Sequence, residues 1–189
     1  AVGRYGTGTH GVRLLAGTLP VHNELERKIA DLKGTEEAVV LSSGFAANLS
    51  ALGALVGPGD LVFSDTLNHA SIVDGCRLSG ARSVRLRHND MDDLAEKLGQ
   101  ADPDRNKLVV ADAVFSMDGD IYDLPAASRL CRRHGALLML DEAHSLGVIG
   151  ERGMGIEEHF GLGPDACDIK MGTFSKAIPS CGGYLAART

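Results

Sequence analysis

"LLMLDEAH" (Leu137–His144) is an apolar run that ends in an acid, and its reading sets the fold. A short apolar run closed by polar residues suits a strand buried on both faces. The same pattern recurs along the chain: "AVVLSS" (Ala38–Ser43), "LVFSD" (Leu61–Asp65), "SVRLR" (Ser83–Arg87), "KLVVADAVF" (Lys107–Phe115), "DIKMGTF" (Asp168–Phe174) and "GGYLAAR" (Gly182–Arg188). Helical patterns lie between the runs, at Gly44–Val56, about His69–Leu78, about Met91–Leu98 and Leu124–His134. An earlier helix spans Pro20–Lys33, with proline at its start, Leu25, Ile29 and Leu32 on one stripe, and Gly34 as the stop. Strands alternating with helices predict an α/β fold, a mostly parallel sheet covered by helices on both faces. Ligands in such sheets bind beyond the carboxyl ends of the strands.

The totals agree with one domain over residues 1–189. Of 189 residues, 44% are hydrophobic and 4% aromatic, with 24 glycines, enough for a sizeable core. The net charge of −6 advertises no basic surface to nucleic acid or anionic lipid. Cys76, Cys131, Cys167 and Cys181 are widely spaced and form no C-x-x-C pair, so they are expected to be reduced, buried thiols of a cytoplasmic protein, and no metal site is expected. No run has a membrane-spanning length. The chain opens without methionine and stops just after a strand-like run, so it reads as a piece of something longer.

Lys176 is the only charged residue between Lys170 and Arg188, in a tract of small residues, "GTFSKAIPSCGGY" (Gly172–Tyr184). A lysine used for chemistry fits this setting, with its charge disfavoured and its amine free as a nucleophile. A lysine with a buried stem and a solvated head fits it too. Asp141 ends its strand and Lys176 follows the next one. An acid and a lysine on neighbouring strand ends are what pyridoxal phosphate requires, the lysine for an imine and the acid to keep the pyridine nitrogen protonated. A turn cap is the plainer role for Asp141. "SSGFAAN" (Ser42–Asn48) turns a strand into a helix, where free backbone N–H groups and the helix dipole can hold a phosphate. Thr173 and Ser175 offer hydroxyls beside Lys176. His69, at a helix entry, suits ring stacking or a polar cap, and Ser116 suits a site contact or an ordinary turn.

Two further motifs are weaker. "GTGTHG" (Gly6–Gly11) matches the dinucleotide fingerprint, but no strand precedes it, so an open loop is expected. Asp141 to His144 spell the DEAH box of P-loop helicases. A P-loop requires a Gly-Lys pair, which this chain lacks, so a P-loop ATPase stays only as an alternative.

In order and spacing, "SSGFAAN", "SDTLNHASIVDG", "VFSMDGD", "DEAHSLGVIGERG" and "GTFSKA…GGY" together resemble the α-oxoamine synthase family of pyridoxal-phosphate enzymes. The resemblance runs from "GTGTHGVRLLAGT" to "GGYLAAR" and implies the large domain of the aspartate-aminotransferase type of fold. It implies that Lys176 is the Schiff-base lysine and Asp141 the pyridinium partner. His144 would bond the ring's phenolic oxygen, His69 would stack on the ring, and Ser116 would bond near it. Gly44 and Phe45 would cradle the phosphate through their backbone, with Thr173 as a further contact. Asn48 matches a position that lies near the subunit boundary in some relatives. The implied reaction condenses a small amino acid with an acyl thioester, from acyl-CoA or acyl carrier protein, usually with loss of CO2. A homodimer is implied, as is a smaller carboxy-terminal domain, absent here, whose arginine binds the substrate carboxylate. Ile178-Pro179 departs from the small residues the family often carries after its lysine. An aminotransferase of the same fold and a non-catalytic partner subunit are the other readings, and a non-catalytic subunit would be expected to lack Lys176.

Overall fold

The structure is a computed structural model and describes residues 2–188. Its centre is a seven-stranded sheet of order β1-β7-β6-β5-β4-β2-β3. The strands are β1 (Glu37–Leu41), β2 (Leu61–Asp65), β3 (Arg82–Leu86), β4 (Lys107–Asp112), β5 (Leu137–Asp141), β6 (Ile169–Ser175) and β7 (Pro179–Ala187). The pairs from β6 across to β3 are parallel, and β7 alone runs against its two neighbours. The expected α/β sheet is the one observed.

The helices are α1 (Val2–Tyr5), α2 (Pro20–Lys33), α3 (Gly44–Leu55), α4 (Ala70–Ser79), α5 (Met91–Gln100), α6 (Leu124–His134) and α7 (Ile156–His159). Their ends are set by local chemistry. Gly34 stops α2 in the left-handed region (φ 63°), where its N–H reaches back to the carbonyls of Ala30 and Asp31. Ser43, Asp90 and Asp123 cap α3, α5 and α6, each accepting an N–H from the first turn.

Alternation along the strands sorts the core into layers. On β4, Val109 and Ala111 pack with Leu94, Leu98, Leu124 and Cys131 of α5 and α6. Leu108 and Val110 point the other way, to Ala51, Leu52, Ile72 and Cys76 of α3 and α4. Each fully buried valine or leucine contributes roughly 1.5–3 kcal/mol, so both faces hold the strands in register.

Three local expectations change. β4 stops at Asp112 rather than Phe115, because the chain turns back through a hairpin in which Tyr122 N–H bonds the Ala113 carbonyl. The inner face of α2 is Ile29, Ala30 and Lys33, while Leu25 and Leu32 remain 37% and 39% exposed. Lys33 is drawn inward by a buried ion quartet: its Nζ lies 2.8 Å from Glu142 and 3.9 Å from Glu157, and Glu157 lies 3.0 Å from Lys170. Cys76, Cys131 and Cys167 are buried thiols as expected, but Cys181 is exposed near the start of β7. "GTGTHG" forms an open loop with no strand before it. Among the described residues, no helix is long and apolar enough to cross a membrane, and no cluster could hold a metal ion.

Candidate active site

The carboxyl ends of the parallel strands converge on a cavity of about 260 Å³. Gly44, Phe45, Asn48, His69, Ser116, Asp141, His144, Thr173 and Lys176, scattered through the sequence, all line it. The cavity also takes in Asp112, which the sequence reading passed over.

Asp141 ends β5 with only 4% of its surface exposed. Its Oδ1 accepts the Ala143 N–H at 2.9 Å, the turn-cap role, and its Oδ2 accepts from Asn48 Nδ2 at 2.8 Å. Burial pushes its carboxyl upward, while Asn48, the Ala143 N–H, Lys176 and His69 oppose that shift. Asp112 ends β4 as the Cα partner of Asp141 in the parallel register. Burial, and then the charge of Asp141, pushes Asp112 up to about 8.

His69 is the N-cap of α4, so its cap role and its place in the cavity coexist. Its Nδ1 accepts the Ser71 N–H at 3.2 Å and faces Ser71 Oγ at 2.7 Å. The loop before it is pinned to β4, since Asn68 Nδ2 donates to the Val110 carbonyl and Asn68 Oδ1 accepts the Asp112 N–H. Burial lowers the His144 imidazole, and the Lys176 charge lowers it further, against Asp141. Asn48 is fully buried on the inner face of α3, inside the cavity wall. Within this chain it therefore serves the floor of the site.

The anion cradle follows from the cap of α3. Ser43 takes the Ala46 N–H on its hydroxyl and the Ala47 N–H on its carbonyl. Gly44 and Phe45 keep the remaining first-turn donors, which no carbonyl inside the helix can reach. A Cβ on Gly44 would stand 3.1 Å from Thr173 Cβ, a tight contact between the helix end and β6. Thr173 Oγ1 donates to the Gly182 carbonyl and faces Ser175 Oγ at 2.9 Å.

Lys176 stands at the turn between β6 and β7. The Ser175–Pro179 pair closes this turn, and Pro179 opens β7, a place where its missing N–H costs no ladder bond. Ile178 packs against the cluster of Ile29, Phe174, Tyr184 and Ala186, which gives the Ile178-Pro179 step a structural role. Lys176 is exposed in this chain rather than desolvated, because the turn projects past the end of the sheet. Ser116 is likewise exposed, at the head of the turn after Phe115.

Residues 6–189 match the family model of aminotransferase class I and II. The chain belongs to that family. It is 54% identical over 187 residues to an 8-amino-7-oxononanoate synthase of Geobacter sulfurreducens, covering 99% of this chain and 48% of that protein. It is 48% identical over 186 residues to a serine palmitoyltransferase of Sphingobacterium spiritivorum, covering 98% and 46%. Among solved structures, it superposes with TM-score 0.93 and 41% identity on a serine palmitoyltransferase from S. paucimobilis with a bound PLP–myriocin aldimine, covering 98% and 46%. Proteins with both names are α-oxoamine synthases, so the resemblance read from the motifs holds for this family member. The chain spans about half the length of the relatives it matches.

Asp112 shares its place in the fold with two other acids. Asp65, Asp112 and Asp141 each close a parallel strand, and such acids at a sheet's carboxyl edge face the ligand crevice. Asp112 was hidden because its apolar run was read through to Phe115.

Proposed function

We propose that the full-length protein is an α-oxoamine synthase that uses pyridoxal phosphate to condense a small amino acid with an acyl thioester. The observation that carries this reading is Asp141 and Lys176 bordering one cavity beside an anion cradle. The residues fit the cofactor. A buried acid suits a protonated ring nitrogen, the open N–H groups of Gly44 and Phe45 suit a phosphate, and a side chain at Gly44 would press on Thr173.

When bound, pyridoxal phosphate supplies an electron-withdrawing ring that accepts the electron pair left on the amino acid's Cα. Asp141 holds the proton on the ring nitrogen through its carboxylate. Gly44 and Phe45 bind the phosphate with backbone N–H groups, and Thr173 adds its hydroxyl. His69 orients the ring by stacking on it, and Ser116 bonds beside it. Burial and Lys176 lower the affinity of His144 for a proton, which favours a neutral ring with one N–H for the phenolic oxygen. Lys176 Nζ would hold the cofactor, and its free amine would accept the proton from the amino acid's Cα.

The protein is inferred to be a cytoplasmic homodimer. Exposed apolar side chains, among them Phe45 at the cavity, Met117 and Val148, support a covered face, and the thiols without disulfide partners support a reducing compartment. The separate small domain is inferred from the length of the relatives.

The test uses the full-length protein loaded with pyridoxal phosphate. Borohydride reduction and peptide mapping are expected to place the label on Lys176. Glycine, alanine or serine with an acyl thioester is expected to release free thiol. A label on another lysine overturns the site. Stoichiometric keto acid without thioester-dependent thiol makes the protein an aminotransferase instead.

A further inference from the structure

Asp112 and Asp141 border the same cavity, yet the reaction above uses only Asp141. They are Cα partners at the ends of neighbouring strands, with 6% and 4% of their surfaces exposed. Their hydrogen-bond donors are unequal. Asp141 receives two N–H bonds, one on each oxygen. Asp112 receives one on its side chain, from the His69 N–H to Oδ2 at 2.9 Å, and its Oδ1 accepts none among the described residues. The charges facing Asp112 are Asp141 on β5, Asp65 on β2 and Lys176 beyond β6, two acids against one amine. His69 gives Asp112 its backbone N–H, while its ring Nδ1 is engaged by Ser71. Neighbouring buried carboxylates resist ionising together, and the one with more N–H donors keeps the charge.

We propose that Asp112 is a positioning residue that works as a neutral acid. Its Oδ2 holds the backbone of His69, and its proton makes Oδ1 a hydrogen-bond donor at the cavity wall, so that Asp141 is the single anion of the pair. The inference rests on the cofactor reading of this cavity and deepens it, assigning the second acid a protonation state and a task. Asparagine mimics such an acid closely, with one acceptor for the His69 N–H and one donor for the cavity. Alanine mimics neither.

The first readouts need no cofactor. Infrared difference spectra of the full-length apoprotein, wild type minus Asp112→Asn, are expected to show a protonated carboxyl C=O band near neutral pH. The band should vanish as pH rises through about 8. Stability supplies the second readout, with its sign fixed by linkage. The folded state holds the Asp112 proton up to about 8, whereas an unfolded aspartate releases it near 3.8. Wild type therefore loses stability over that window as pH rises, and Asp112→Asn, which cannot ionise, gains on it.

Turnover of the loaded enzyme at pH 7 then separates the variants. Asp112→Asn is expected to keep kcat within about threefold of wild type, while Asp112→Ala drops it by about tenfold or more. Absence of an Asp112-dependent carboxyl band, with parallel stability curves, overturns the proposal by showing Asp112 ionised. Loss of turnover in Asp112→Asn equal to that in Asp112→Ala overturns it by showing that the carboxylate itself is needed. A protein that displays the band but binds no pyridoxal phosphate supports the protonation state of Asp112 and refutes the cofactor reading, so the two failures are distinct.

Discussion

Asn48 Nδ2 stands 2.8 Å from Asp141 Oδ2 and 2.8 Å from Ser71 Oγ, joining the acid that ends β5 to the first turn of α4. An amide NH2 only donates, so the Ser71 oxygen accepts from Asn48 and gives its own hydrogen to His69 Nδ1. The Ser71 N–H reaches the same nitrogen. With Nδ1 accepting, the neutral ring carries its hydrogen on Nε2. One buried amide thus orients Asp141 and fixes the His69 tautomer.

Asn48→Leu breaks that relay. It leaves Asp141 Oδ2 without its side-chain donor in a buried site, at a cost of about 1–3 kcal/mol. The expected outcome is a lower urea midpoint together with weaker pyridoxal phosphate binding, read by absorbance titration. A variant with wild-type midpoint and affinity would show the relay to be idle.

Gly44→Ala puts a methyl 3.1 Å from Thr173 Cβ, so the start of α3 is expected to give way by a few tenths of an ångström. The Gly44 and Phe45 N–H groups move with it. Binding of pyridoxal phosphate is expected to weaken by about tenfold, or about 1.4 kcal/mol. Pyridoxal, which has no phosphate, should bind the variant and the wild type alike. An equal loss for both ligands would place the damage elsewhere.

The ion quartet behind the site predicts an asymmetry. Glu157, pushed up to about 7 by burial against the pull of Lys170 and Lys33, depends on both lysines. Lys33→Met strands the Glu142 carboxylate in the core and should cost roughly 3–5 kcal/mol. Adding Glu142→Gln removes the stranded charge, and the double variant should recover most of the loss in chemical denaturation. If the two losses simply add, the pair is not coupled.

His88 ties the 115–122 hairpin to β2, bonding Asp120 through Nε2 and Asp65 through Nδ1. Burial acts downward on its imidazolium, but the two carboxylates outweigh it and the net shift is upward. The stabilisation is therefore full below the unfolded histidine value of about 6.5 and is lost as pH rises through the higher folded value. His88→Gln should flatten the change in urea midpoint across that window. A slope unchanged from wild type would exclude His88 as its source.

The elements were legible because apolar runs and caps are local signals. Gly34, Ser43 and Asp123 mark helix ends within a few residues of the groups they bond. The residues that line the cavity were singled out through their motifs and their order. What stayed hidden depends on partners far apart in the chain. Lys33 and Lys170 read as ordinary charges until the fold sets both against Glu157, and Asp65, His88 and Asp120 meet only in space. Asp112 looked like the middle of a strand because nothing local announces that the chain turns back at Ala113.

The antiparallel placement of β7 bears on how the protein emerges during synthesis. β1 hydrogen-bonds to no strand but β7, although roughly 140 residues of chain separate them. Gly183 of β7 also lies against Ser43 and the Gly44 nitrogen, where a Cβ would come within 2.6 Å. A nascent chain can therefore pair β2, β3, β4 and β5 as each appears, while β1 and the start of α3 wait for β7. The anion cradle takes shape only once β7 has emerged, and until then the unpaired β1 is a segment in need of shielding from other chains.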